Sequence, residues 1–217
     1  MSETMDGTRK MYLKEARAAL RASDPVMRRL VDSQPHLDPY RWKRASRREL
    51  PSTDLFGSLV RQIVGQQISV SAARAILGRL AALLGGEAPT PVQLLAIDPE
   101  RLRSVGLSRQ KASYIHSLAQ HIESGALELD RLIDLPDDEV RKELMAVKGI
   151  GRWSADMMLL VDLERPDILP SGDLGVRKAV QRAYELPTLP TPKEVDLLGE
   201  KWRPHRSLAT SYLYATL

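Results

Sequence analysis

The stretch VKGIGRWSADMML, Val147 to Leu159, sets two glycines two residues apart directly in front of an arginine, a tryptophan and an amphipathic run. Glycine has no Cβ, so it allows positive φ and lets another backbone or a ligand come close to the main chain. The pair fits two structures. One is a tight turn between helices. The other is a turn whose unpaired N–H groups face an anion, because a helix N-terminus carries free donors and the positive end of the helix dipole.

Outward from that stretch, DDEVRKELMAV supplies a helix, KGIG a hairpin and RWSADMMLLV a second helix, which is helix-hairpin-helix geometry. The amides around Gly149 and Gly151 then point at a DNA phosphate, with Lys148 and Arg152 adding charge and Ser154 beside them. Such contacts bind DNA without reading its bases. About twenty residues after the second glycine comes RPDILPSGDLGVRKAV, from Arg165, a connection interrupted by proline and glycine that sets Asp173 at or just before a new helix. Asp173 is open to two roles: an N-cap or first-turn acid, or a carboxylate held at the mouth of a cleft between helical layers.

Helical periodicity dominates the rest of the chain, and no convincing alternating strand occurs, which predicts an all-α protein of many short helices. The pattern places them near 8–22, 25–32, 55–66, 69–84, 91–97, 98–104, 108–123, 137–146, 152–162, 173–185, 192–199 and 204–216. Ser23-Asp24-Pro25 puts a capping residue before a first-turn proline, and Asp98-Pro99 and Thr191-Pro192 repeat the device. LLGGEAPTP and ELPTLPTP are breaks, and there is no internal repeat.

A chain of 217 residues can bury a substantial core as one large domain or two small ones. The absence of cysteine excludes disulfides, thiolate zinc sites, cysteine-ligated iron–sulfur clusters and cysteine nucleophiles. No window approaches the ~18 apolar residues of a membrane span and MSETMDGTRK lacks an apolar signal core, so a soluble intracellular protein is expected. The net charge of +4 and a pI of about 9.4 suit a polyanionic partner. Arg41, Lys43, Arg44, Arg47 and Arg48 form a run that is either a solvated helix face or a set of phosphate contacts. His116 and His121 are five apart, off the i, i+4 spacing, and His36 and His205 are isolated, which argues against a zinc or iron site.

The hairpin LMAVKGIGRWSADMML, followed by a Gly/Pro-rich loop and the carboxylate in LPSGDLGVR, resembles the HhH-GPD superfamily of DNA base-excision glycosylases, and within it the 3-methyladenine DNA glycosylase II (AlkA-like) branch. LVRQIVGQQISVSAARAI at 59–76, VGLSRQKASYI at 105–115 and WRPHRSLATSYLY at 202–214 support it in the family's order, over roughly residues 50–217. The resemblance implies an all-helical, two-lobed fold with a DNA cleft between lobes. Residues 55–165 would form the central lobe with the helix-hairpin-helix at about 137–162, and 1–54 with 166–217 the second lobe. It also implies a shorter variant without the N-terminal β domain of the bacterial prototype, with Trp202 packed between lobes.

The same resemblance makes Asp173 the catalytic residue, a role that coexists with capping. Gln67, with Gln66 in reserve, would fill the gap left by a flipped base; alternatively the glutamines satisfy buried backbone groups. Trp153 would line the base pocket, joined by Met157 and Tyr214, which are otherwise ordinary helix core. Bifunctional relatives carry a nucleophilic lysine where this chain has Trp153, which implies a monofunctional enzyme without lyase activity. The hairpin of related proteins binds a monovalent cation through main-chain carbonyls, here those of Met145, Val147 and Ile150; a structural Na+ or K+ is implied there and no other cofactor.

The expected function is a glycosylase of base excision repair that removes alkylated purines, 3-methyladenine and 7-methylguanine, from double-stranded DNA and leaves an abasic site. The alternatives are a non-catalytic helix-hairpin-helix DNA-binding module, or a glycosylase for hypoxanthine or uracil. A monomer is expected, with no membrane partner, cytoplasmic at the nucleoid in a bacterium or nuclear in a eukaryote.

Overall fold

The computed structural model describes residues 2–37, 39 and 54–217, with side chains from residue 7 onward. The basic run Arg41–Arg48 lies outside the described residues. All regular structure among the described residues is helical. In chain order the helices are α1 (Ser2–Ser23), α2 (Pro25–Ser33), α3 (Leu55–Gly65), α4 (Val70–Leu83), α5 (Pro91–Ala96), α6 (Pro99–Ser104) and α7 (Arg109–Glu123). Next come α8 (Asp137–Met145), α9 (Arg152–Met157), α10 (Leu174–Ala183), α11 (Pro192–Gly199) and α12 (Arg206–Tyr214). Short 3₁₀ turns occupy Leu129–Ile133 and Glu200–Trp202.

The helix starts follow from side-chain caps that the sequence announces. Asp24, Ser69, Thr90, Asp98, Ser108 and Thr191 each accept a hydrogen bond from a first-turn amide, which satisfies one of the helix's orphan donors. Thr90 and Thr191 complete capping boxes with Gln93 and Glu194. One helix departs from its expected form. The periodicity of 152–162 predicts one α-helix, but after Met157 the chain widens into a π turn over Met158–Asp162, closed by Leu163 N–H on the Met158 carbonyl. Such turns concentrate at functional positions.

The chain divides into two compact units, residues 1–39 with 164–217, and residues 40–163. In the first, both ends of the chain share one core: Ala16 and Leu20 of α1, Met27 and Val31 of α2, Val176 and Val180 of α10, Trp202, and Tyr212 and Leu213 of α12. Trp202 therefore belongs to the interior of this unit. Its Nε1 donates to Asp24 Oδ2 at 2.9 Å, and the same carboxylate receives Tyr184 Oη and Lys201 Nζ while capping α2. A buried carboxylate is tolerated here because every partner is a donor.

In the second unit α3 carries the buried strip Phe56, Leu59, Val60, Ile63 and Val64 and packs against α7 and the π turn. Helix α7 packs in turn on α5 and α6. Lys111 of α7 places its ammonium 2.7 Å from the Val64 carbonyl and 2.6 Å from that of Gln66. A cation thus caps the C-terminus of α3, where orphan carbonyls and the negative dipole end lie.

Candidate active site and nucleic-acid interface

The two hairpin glycines prove to have different reasons. Helix α8 ends at Met145, the Val147 N–H bonds the Leu144 carbonyl, and the Ile150 N–H bonds that of Val147 at 3.1 Å, which folds the chain back sharply. Gly149 sits in this turn at φ 92°, and a Cβ there would fall 2.1 Å from Cγ of Tyr114 on α7. Only glycine fits, on both counts. Gly151 is extended, with open space where its Cβ would be, and it begins α9 with no side-chain cap. Packing therefore demands the first glycine and not the second.

Around the turn, Lys148 and Arg152 are exposed. Arg152 Nε lies 3.0 Å from Asp156, which is itself only 3% exposed and also takes Arg141 Nε at 2.7 Å. The acid anchors Arg152 to its own helix. Ser154, expected to contact DNA, is buried at 3% exposure. The expectation is corrected for its side chain: two residues on from Arg152, the position turns to the interior face of α9. Val147 and Ile150 are buried hydrophobic anchors of the turn, and Met145 is exposed.

The glutamines of the α3–α4 turn separate. Gln66 Nε2 donates to the Gly149 carbonyl at 2.9 Å, so this side chain braces the hairpin and satisfies a backbone group. Gln67 is exposed and held at φ 56°, the left-handed region that a side chain enters at a cost of about 1–2 kcal/mol. Glu164 and Glu185 take the same conformation, at φ 53° and 54°.

Trp153 and Met157, one helical turn apart on α9, line a cavity of about 250 Å³ with Ser58, Arg61 and Gln62 of α3 and Asp162 of the π turn. Trp153 is 41% exposed, so its ring is a surface rather than a core element. Ser58 Oγ donates to Asp162 Oδ2 at 2.7 Å, joining α3 to the π turn. Met157 lines this cavity beside Trp153. Tyr214, named with it, belongs to the other unit, beside Asp173.

Asp173 is half-buried at the N-cap of α10, where Oδ1 accepts the Val176 N–H at 2.8 Å. Tyr214 of α12 hydrogen-bonds its carboxylate. Burial and that neighbouring negative charge push the Tyr214 phenol well above its usual range, so the hydroxyl stays protonated as a donor. Gly175 makes room: a Cβ there would lie 2.9 Å from Asp173 Oδ1. The loop before Asp173 is tied to the start of α12. Arg206 grips Asp167 through two nitrogens, Ser207 Oγ accepts the Ile168 N–H at 2.9 Å, and Ser207 N–H bonds the Pro166 carbonyl. The purpose of the RS pair in WRPHRSLAT, opaque in the sequence, is this clamp.

Two histidines serve the backbone: His116 Nε2 meets the Ile97 carbonyl at 3.1 Å and His121 Nδ1 that of Ser117 at 2.7 Å. No helix among the described residues is long and apolar enough to cross a membrane.

Residues 60–205 match the family model of the HhH-GPD superfamily base excision DNA repair protein. DNA-3-methyladenine glycosylase 1 of Schizosaccharomyces pombe is 31% identical over 206 residues, 94% of this chain and 87% of the relative. DNA-3-methyladenine glycosylase 2 of Escherichia coli is 29% identical over 75% of this chain, which spans 58% of that longer protein. Among solved structures, the 3-methyladenine DNA glycosylase of Schizosaccharomyces pombe in complex with abasic DNA superposes with a TM-score of 0.82 at 30% identity, covering 93% of this chain and 96% of that one.

Proposed function

The chain belongs to the HhH-GPD superfamily of base excision DNA repair proteins, and from that premise we propose that it is a monofunctional DNA glycosylase that hydrolyses alkylated purines, 3-methyladenine and 7-methylguanine, from duplex DNA. The observation that carries the reading is Asp173: a half-buried carboxylate at the head of α10, oriented by a cap bond and by Tyr214, on a loop clamped by Arg206 and Ser207. That is more fixation than a helix cap requires.

An enzyme acting on a base within a duplex must extrude it, at a cost of a few kcal/mol that falls when the base is damaged. Gln67, strained and exposed, is the side chain proposed to fill the gap; Gln66 is committed to the hairpin. Lys148, Gly149, Gly151 and Arg152 hold phosphates, with the open face at Gly151 allowing close approach of the backbone amides. Trp153 offers an electron-rich ring on which a cationic purine stacks, beside Met157.

Alkylation at N3 or N7 leaves the purine positively charged, so it departs with little need of protonation. The remaining barrier is the oxocarbenium-like sugar. An ionised Asp173 lowers its energy electrostatically and can orient the attacking water. Trp153 supplies no amine, so no covalent sugar adduct forms and the product is an abasic site.

The carbonyls of Met145, Val147 and Ile150 bracket the hairpin turn, and that of Val147 keeps a lone pair beyond its bond to Ile150. Na+ or K+ held there would brace the turn and take no part in bond cleavage. A monomer acting at the nucleoid or in the nucleus fits this reading.

Asp173→Asn tests it. Asparagine caps a helix as well as aspartate, so the variant should keep its melting temperature and duplex affinity while release of methylated base falls by several hundredfold. Base release equal to wild type would leave only a DNA-binding module. Duplexes carrying methylated, hypoxanthine or uracil bases, assayed with and without alkaline cleavage, report lesion range and lyase activity together.

A further inference from the structure

Resting on the reading of Gln67 as the side chain that fills the gap, we propose that Lys111 is a positioning residue for it: the ammonium fixes the turn that carries Gln67, and Gln66 ties that turn to the phosphate-binding hairpin.

Lys111 stands on α7 and reaches the end of α3, where Nζ donates to the Val64 carbonyl at 2.7 Å and to that of Gln66 at 2.6 Å. The bond to Val64 caps a helix. The bond to Gln66 does more, because Gln66 follows the last residue of α3 and its carbonyl shares a rigid peptide plane with the N–H of Gln67. Holding that plane sets the frame in which Gln67 takes φ 56°. Burial works against the ammonium and lowers its pKa from the ordinary lysine value, a cost that a solvent-facing cap would not carry.

The same turn is fastened at a second point. Gln66 Nε2 donates to the Gly149 carbonyl at 2.9 Å. Tyr114, one helical turn beyond Lys111 on α7, lays its ring against Gly149. One helix thus holds both loops, the one bearing Gln67 and the one bearing Lys148 and Arg152. A plug must enter the base stack where the hairpin has set the DNA backbone, and an error of about 1 Å in such placement costs on the order of a hundredfold.

The experiment is a double-mutant cycle read by single-turnover release of 3-methyladenine from methylated duplex and from methylated single strands, the substrate that needs no plug. Lys111→Met, similar in length but without donors, should lose about tenfold on duplex and less than twofold on single strands. In a Gln67→Gly background the same change should cost less than twofold on duplex, since nothing is left to position. Gln66→Met, which cuts only the tie to the hairpin, goes through the same cycle with the same expected pattern, and it decides the matter if Lys111→Met melts below the assay temperature. Equal losses in both backgrounds, or on both substrates, would reduce these contacts to a helix cap and overturn the proposal. Gln67→Gly alone matching wild type on duplex would overturn the plug reading beneath it.

Discussion

The guanidinium of Arg206 meets both carboxylate oxygens of Asp167, Nε to Oδ1 at 2.7 Å and Nη2 to Oδ2 at 3.0 Å, and Nη2 also donates to the Asp167 carbonyl at 2.8 Å. Asp173 lies six positions after Asp167, so the grip sets where the loop releases the chain into α10. Lysine cannot reproduce a bidentate fork. Arg206→Lys should cost about 1–3 kcal/mol of stability, read as a lowered melting temperature, and should reduce base release without changing duplex affinity. Unchanged turnover would make the clamp irrelevant to Asp173.

Tyr214→Phe removes only the hydroxyl that bonds Asp173. The ring stays, so melting should shift by no more than about 1.5 kcal/mol equivalent, while single-turnover base release falls severalfold as the carboxylate loses its orientation.

The two hairpin glycines should respond oppositely to alanine. Gly149→Ala meets the Tyr114 ring and a positive φ together and should lose at least about 2 kcal/mol. Gly151→Ala enters open space at φ −99° and should stay within about 0.5 kcal/mol of wild type. Its deficit should instead appear as weaker binding to undamaged duplex, measured by fluorescence anisotropy.

Gln67→Gly exchanges a strained residue at φ 56° for one at ease there. Stability should hold or rise slightly, while excision from duplex, the substrate that needs a plug, drops more than excision from single strands.

Burial works to raise the Asp24 carboxyl, but hydrogen bonds from Trp202, Tyr184, Lys201 and the Val26 amide outweigh it and hold the group below its ordinary 3.8. A carboxylate with a depressed folded value binds protons more readily when unfolded, so its contribution is complete above pH 3.8 and is lost as pH falls below that toward the folded value. Asp24→Asn should be less stable than wild type at pH 7, and the gap between their urea midpoints should narrow below about pH 4. A constant gap would remove the ionised carboxylate from the fold's support.

Sequence alone was sufficient for the helices and their starts, because caps and 3.6-residue periodicity act within one or two turns: Asp24, Thr90, Asp98 and Thr191 cap where the Asp-Pro and Thr-Pro pairs announce them. It was also sufficient to identify the glycine hairpin and Asp173 as the residues worth pursuing. Tertiary structure decided which partners these residues have, since every such partner lies far along the chain. The Tyr114 ring is what makes Gly149 obligatory, and Gln66 turns out to brace that same residue. Arg206 clamps a loop that begins some forty residues earlier. Tyr214 goes to Asp173. No local pattern encodes such pairings: they exist only once burial has brought distant helices to within hydrogen-bond range.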